Sequence, residues 1–299
     1  MRFDLGVVIT ACEGRQENLR RVLECVAAQD DPPLEVVVVY DGCDRFDGLP
    51  IMELNSEFLT HVIPKHSPGQ EQPRNVGVRL LSDDVNYVHF IDSDLIFHSD
   101  LTATYRGALE LGPDRIMIGP YEWLGIGRTD MDEGLKNDPR WASMDESGPE
   151  VVHVGSLGPA LGCFGGNLVW PLDGFKEIGG FSPQLWHGRC EDGELGLRAA
   201  SAQVPMSYVR DARAWHVAHP VDVNAAQSKN ARDVPLLNAA HPWVQDQGMI
   251  LTEADGARFD WHCAECDLLI NSHDFWNHTS QHRTGEPFTY NDPASVRPA

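Results

Sequence analysis

Two aspartates, Asp92 and Asp94, flank Ser93 inside an otherwise apolar stretch, VHFIDSDLIF, at residues 88–97. Burying two carboxylates in such surroundings costs far more than a hydrogen bond returns, unless they are paired or hold a metal. Carboxylates spaced i, i+2 at a strand end can both reach one cation. Hard oxygen ligands suit Mg²⁺ or Mn²⁺, which are commonly completed by substrate phosphates. An acidic D-x-D by itself is equally a surface turn; its place directly after a buried strand is what favours the cation. A second set of ligand-type residues lies far downstream: Cys263, Cys266, His278 and His282, with two, eleven and three residues in the gaps. Two thiolates followed by two imidazoles one helical turn apart make a tetrahedral donor set for Zn²⁺.

The elements that must position the aspartates alternate in type. FDLGVVIT (3–10) and LEVVVVYD (34–41) read as buried strands, with Leu19, Val22, Leu23, Val26 and Ala27 at helical spacing between them. The second strand is so β-branched that both of its faces must be covered. A short strand at 60–63, a Gly/Pro-rich loop, a helix over 74–82 and a central strand at 85–91 lead to the aspartates. A helix over 101–111 and a strand at 115–119 follow. Residues 121–160 lose this rhythm and hold many Asp, Glu, Gly and Pro, as a functional loop or a decorative insertion would. Order resumes at 165–170, with helices over 172–179 and from Glu191, then a strand near 206–209 ahead of Trp215 and His216. Strands alternating with helices predict a doubly wound α/β domain, in which ligands bind beyond the carboxyl ends of the strands. Three polar clusters fall there: Ala11-Cys12-Glu13, Asp41-Gly42-Cys43-Asp44 and Asp92-Ser93-Asp94. Their coincidence at one edge carries more weight than any one of them.

Composition narrows the function classes. The formal charge of −22 over 299 residues argues against a nonspecific grip on nucleic acid, whose affinity comes from Lys and Arg on phosphates. It also disfavours anionic membrane surfaces. No apolar run approaches the roughly 20 residues a bilayer span needs. The start, MRFDLGVVIT, enters a strand-like run without a signal peptide's layout. Of seven cysteines five are scattered, which suits a reducing compartment better than a disulfide framework. A cytoplasmic protein is the expectation.

Several segments, in order, resemble the family 2 glycosyltransferases and their GT-A-fold relatives. VVITACEGRQENLRRVL is similar to the family's first strand and helix, VVVVYDGCD to its V-V-x-D-D-G-S-x-D element, and GQEQPRNVGVR to its G-x-x-x-x-R-N-x-G segment. FIDSD resembles the metal-binding D-x-D, and GGNLVWPLDGFKEIGGFSPQLWHGRCEDGELGLR the donor and acceptor region of galactosyltransferase-type enzymes. Tyr40 stands where the family's first Asp is usual, Cys43 replaces its Ser, and W-H-G-R-C stands before Glu191 in place of W-G-G. Asp41 is therefore the base-contacting candidate, and sugar specificity does not carry over.

The resemblance implies a GT-A fold, Rossmann-like with a doubly wound mixed sheet, and a metal-dependent transfer from a nucleotide-sugar, a UDP-sugar by preference, to an acceptor hydroxyl. It implies Asp94 as a direct ligand of Mn²⁺ or Mg²⁺, Asp92 approaching the ribose or the metal through water, and His216 as a later ligand, with His219 competing. Thr10, Ala11, Glu13, Asp41, Ser93 and Gly166 fall at donor-binding positions. Arg74 would meet phosphate or support the D-x-D loop, and its bland role is an ion pair at the sheet edge. Of the pair Glu191 and Asp192, Asp192 matches the family's general base, which predicts inversion at the anomeric carbon. Trp186 is a sugar-stacking residue or a core anchor.

These features define a catalytic domain over 1–235 and an extension over 236–299, with the zinc module at about 259–284. Trp261, Ile270 and Phe275 fit the small-core positions of a C2H2 finger, the central gap is one residue short, HRTGEPF resembles the linker after such fingers, and His273 is an alternative ligand. The extension carries three Arg, no Lys and nine acids, so a docking module is favoured over a reader of DNA. The acceptor is left open among glycan, protein, small molecule and modified nucleobase. The rival reading is an inactive GT-A-like scaffold that recruits a partner through the finger. A nucleotidyltransferase is more distant, because the Glu-Asp helix followed by His216 speaks against it.

Overall fold

The computed structural model describes residues 3–12, 14–41, 59–65, 73–125, 128–136, 140–141, 144, 148–185, 190–218, 223–247, 249–252, 260–263, 268–271 and 296–298. For 59–65, 223–231, 245–247 and everything from 249 onward this description is of the backbone alone. The chain opens with β1 (Leu5–Cys12), α1 (Gln16–Ala27), β2 (Glu35–Asp41) and β3 (Leu59–Lys65). Then come α2 (Pro73–Val78), β4 (Tyr87–Asp92), β5 (Leu95–Ile96) and α3 (Leu101–Leu111). These are followed by β6 (Ile116–Ile118), β7 (Tyr121–Leu124), α4 (Leu157–Leu161), β8 (Asn167–Pro171) and α5 (Leu172–Glu177). The run from α6 (Glu191–Ser201) through β9 (Met206–Tyr208) and β10 (Ala214–Val217) ends in the long α7 (Val223–Ala240).

Among the described residues, a seven-stranded sheet runs in the order β3-β2-β1-β4-β8-β6-β9. The first four strands are parallel, whereas β8 runs antiparallel to both β4 and β6. The β-branched runs of β1 and β2 are explained by burial on both sides, and alternate residues feed two different cores. Val8, Val37 and Val39 join Phe90, Trp170, Phe175 and Leu195 on one face. Val7, Ile9, Val36 and Val38 join Leu19, Val22, Val26 and Tyr105 on the other. Gly77 makes α2 possible where it lies: a Cβ there would come within 2.4 Å of Val8 Cγ1. Its absence lets the helix seat against the sheet and carry Arg74 to the strand ends.

One finding differs from the expectations. Residues 121–124, expected to be irregular, form β7, and 214–217 form β10; with β5 they make a small second sheet in the order β5-β10-β7. Strands of two to four residues carry too few side chains to show a period. Helix α7 runs across position 235, with Val234 and Leu237 both buried in the same core. Beyond it β11 (Met249–Thr252), β12 (Asp260–Cys263), β13 (Leu268–Asn271) and β14 (Val296–Pro298) form an antiparallel sheet. Cys263 ends β12, paired with Leu268; Cys266, His273, His278 and His282 lie outside the described residues. Among the described residues, no helix is long and apolar enough to cross a membrane.

Candidate active site

The site forms where β1, β2 and β4 end together. Cross-strand register places Thr10 beside Asp92, Ala11 beside Tyr40 and Cys12 beside Asp41. Tyr40 is fully buried among the α1-side core residues, so the acid available at the end of β2 is Asp41. Glu13, Trp186 and His219 lie outside the described residues.

Asp92 is the last residue of β4, and the turn through Ser93 sends Asp94 away from it. The Val217 N–H donates to the Asp94 backbone oxygen at 2.9 Å, and His216 sits opposite Leu95 in the β5–β10 ladder. That lock brings His216 Nε2 to 3.6 Å from Asp94 Oδ2. The same carboxylate oxygen is paired with Arg15, at the N-terminal cap of α1. Asp94 is only 5% exposed.

Asp92 turns the other way. Its Oδ1 accepts from Arg74 Nη2 at 2.6 Å, and Arg74 Nη1 stands 3.5 Å from both Glu191 Oε1 and Asp192 Oδ1. Burial works against the guanidinium's charge, but Asp92, Asp192 and Glu191 outweigh it and hold Arg74 above its ordinary range. Arg74 thereby links the D-x-D turn to the first turn of α6. Burial first, and Asp192 second, push the Glu191 carboxyl up to about 8 against the pull of Arg74. Burial likewise raises Asp192; Arg74 opposes it, Asp92 adds to it, and a hydrogen bond from Gly165 favours the charged form. Glu191 Oε2 and Asp192 Oδ1 are buried and accept no hydrogen bond from a described residue.

Gly165 and Gly166 separate these groups. A Cβ at Gly166 would stand 2.8 Å from Asp92 Oδ2 and 2.6 Å from the Tyr121 hydroxyl, and one at Gly165 2.6 Å from Asp192 Oδ1. The double glycine therefore keeps a cradle open between the carboxylates.

Two arginines were not foreseen. Arg15 lies in the segment similar to the family's first strand and helix, but nothing in its spacing shows that it reaches Asp94. Arg140 comes from the segment expected to lack regular structure, is fully buried, and stacks its guanidinium 4.2 Å from the Tyr121 ring centre and 4.8 Å from that of Phe164. Its charge is also among those drawing Asp192 down.

The donor set fits a divalent cation. Asp94 offers a hard oxygen and His216 an imidazole nitrogen, within reach of a common point, and an imidazole tolerates Mn²⁺ better than Mg²⁺. Among the described residues no third His, Cys, Asp or Glu completes a ready-made cage.

Residues 7–132 match the family model of the glycosyl transferase family 2. None of the curated proteins matches the chain. Solved structures do. Staphylococcus aureus TarS 1–349 in complex with UDP-GlcNAc superposes with a TM-score of 0.55 at 15% identity, over 77% of this chain and 66% of that one. GalNAc-T7 with UDP, GalNAc and Mn²⁺ gives 0.55 at 15% identity, over 73% and 44%. The mannosyltransferase PcManGT from Pyrobaculum calidifontis, with GDP-Man and Mn²⁺, gives 0.52 at 15%, over 78% and 63%. The chain spans less than two thirds of the length of each of these proteins. At this identity the likeness shows the fold, which is GT-A.

Proposed function

We propose that this GT-A domain transfers a sugar from a nucleoside-diphosphate donor, a UDP-sugar by preference, to an acceptor hydroxyl with inversion. One observation carries the reading. At the end of β4 the two aspartates part: Asp94 comes within 3.6 Å of His216, while Asp92 shares Arg74 with the raised carboxylate pair Glu191 and Asp192 beside Gly165 and Gly166. The match of residues 7–132 and the nucleotide-sugar complexes of the similar structures support it.

Asp94 and His216 would hold Mn²⁺ or Mg²⁺, with Asp92 reaching the ribose or the ion through water, and the ion would supply charge neutralisation at the donor diphosphate. The chain's own groups do the rest. Thr10, Ala11, Glu13 and Asp41 receive the nucleoside at the ends of β1 and β2, and Ser93 and Gly166 allow the diphosphate and sugar close to the backbone. Arg74 holds Asp92 and the carboxylate pair in fixed relation. Asp192 accepts the proton of the acceptor hydroxyl as its oxygen bonds to the anomeric carbon and the bond to the diphosphate oxygen breaks. Its raised pKa moves it toward the operating pH, where a general base is most effective. Glu191 shares the pair's proton. Trp186 would stack on the sugar.

The extension belongs to the proposal as a separate module, with Cys263, Cys266, His278 and His282 on one Zn²⁺. A metal analysis finding one zinc per chain, lost in Cys263→Ser, would support it; a zinc-free folded chain would remove it.

A panel of nucleotide-sugars titrated with and without Mn²⁺ tests the main reading. Saturable binding of at least one, dependent on the ion and lost in Asp94→Ala, is expected. No binding across the panel, or full binding in the variant, contradicts it.

A further inference from the structure

The second sheet carries one row of side chains from the core to solvent. His216 pairs with Leu95 on one side and with Trp123 on the other, and Trp123 pairs with Leu135 beyond. The last pair exchanges both backbone hydrogen bonds, Trp123 N–H to Leu135 O at 2.8 Å and Leu135 N–H to Trp123 O at 2.9 Å. Residues directly opposite each other across a sheet share a face. The row accordingly grades from Leu95, 1% exposed, through His216 to Trp123 at 39% and Leu135 at 59%. The ring centres of Trp123 and His216 lie 4.3 Å apart with the planes tilted by 39°, and Tyr121, two residues back on the same face, stands 6.4 Å from His216.

A single exposed apolar residue needs no explanation. An exposed tryptophan against the candidate metal ligand, with an exposed leucine extending it outward, makes an apolar surface beside His216. We infer that Trp123 and Leu135 form the acceptor platform, and that the acceptor lays the C–H face of a sugar ring on the Trp123 indole. The inference rests on the sugar-transfer reading and gives its acceptor a chemical class. An indole face is electron-rich, and the axial C–H bonds of a pyranose meet it as an apolar, weakly positive surface. Leu135 offers no donor or acceptor with which to read a base edge, and the chain's charge of −22 repels the phosphates of a nucleic acid. A ring-bearing, uncharged glycoside fits all three conditions. An acyclic polyol, without a flat C–H face, does not.

Saturation-transfer NMR on the full chain with UDP and Mn²⁺ tests this without needing turnover. The probes are methyl β-D-glucopyranoside, methyl β-D-galactopyranoside and ribitol. Ring C–H signals from at least one pyranoside, and none from ribitol, are expected. Trp123→Ala should weaken that pyranoside about fivefold, Trp123→Phe should retain most of the binding, and the exposed Leu135→Ser, which is easily tolerated by the fold, should weaken it about twofold. Equal signals from ribitol, no pyranoside signal, or binding indifferent to all three variants overturns the inference. The signal of UDP itself, read in the same samples, reports on the donor reading separately. A platform that binds pyranosides beside a protein that ignores UDP would sink the donor reading and leave the platform standing.

Discussion

Two acidic neighbourhoods flank the end of β4, and they balance their charge in opposite ways. Around Asp94 one carboxylate meets a guanidinium, Arg15, and an imidazole, His216. Around Arg74 one guanidinium faces three carboxylates, Asp92, Glu191 and Asp192. Among the described residues the first neighbourhood has one acid with a neutralising partner beside it, and an incoming cation would compete with Arg15 for it. Among the described residues the second has more acid than base; burial first, and the neighbouring carboxylates after it, raise the Glu191 and Asp192 carboxyls against the pull of Arg74. On the proposed reading, one strand end separates a place for a metal from a place for a proton. The i, i+2 spacing of Asp92 and Asp94 makes this possible, because the turn at Ser93 sends the two side chains to different partners.

The comparison breaks most visibly at Asp192. If the second neighbourhood moves a proton, Asp192→Asn should lower kcat by about a hundredfold to ten-thousandfold in a steady-state assay with whichever nucleotide-sugar binds. A small change in kcat would leave Asp192 a purely structural acid. Next in size is Arg74→Met. It strands three carboxylates around an uncharged side chain, and breaking such a buried tie costs about 3–5 kcal/mol, to be read from urea unfolding at neutral pH. The equivalent change in the first neighbourhood, Arg15→Ala, concerns a partner whose side chain is 27% exposed. Because Asp94 itself is buried, the cost of Arg15→Ala should exceed that of a surface pair, at about 1.5–3 kcal/mol, and a loss larger than that of Arg74→Met would erase the distinction.

The pH dependence of stability sharpens the same contrast. The folded chain holds Glu191 protonated up to about 8, whereas its unfolded value is 4.5. Between those values the folded state binds more protons than the unfolded state, so this group makes stability fall as pH rises. Glu191→Gln removes the titrating group. It should flatten the decline and leave the variant more stable than the parent at pH 8, by urea midpoints taken at pH 5 and 8. A parent whose stability climbs across that interval through this pair would contradict the raised carboxyls.

What the sequence made legible follows from how each feature is encoded. The runs in β1, β2 and β4 announce themselves because strands buried on both faces need apolar residues without interruption. Asp92 and Asp94 stand out because they interrupt such a run, and α6 begins at Glu191 where the acidic pair marked it. The small sheet was hidden. Tyr121 to Leu124 alternates too briefly to show a period, and its partners lie far away in the chain, at Ala214 to Val217. Arg15 and Arg140 were hidden for a different reason: a long side chain's destination is fixed by tertiary placement. Nothing near Arg140 in sequence marks it as the cation wedged between Tyr121 and Phe164.

The central claim is that Asp94 and His216 belong to one divalent ion. Electron paramagnetic resonance of Mn²⁺ in the presence of UDP tests it most directly, with the parent, Asp94→Ala, His216→Ala and the double variant side by side. A shared site predicts that each single change abolishes the bound-Mn²⁺ signal and that the double variant is no worse than either. A His216→Ala spectrum and affinity identical to the parent's would contradict it.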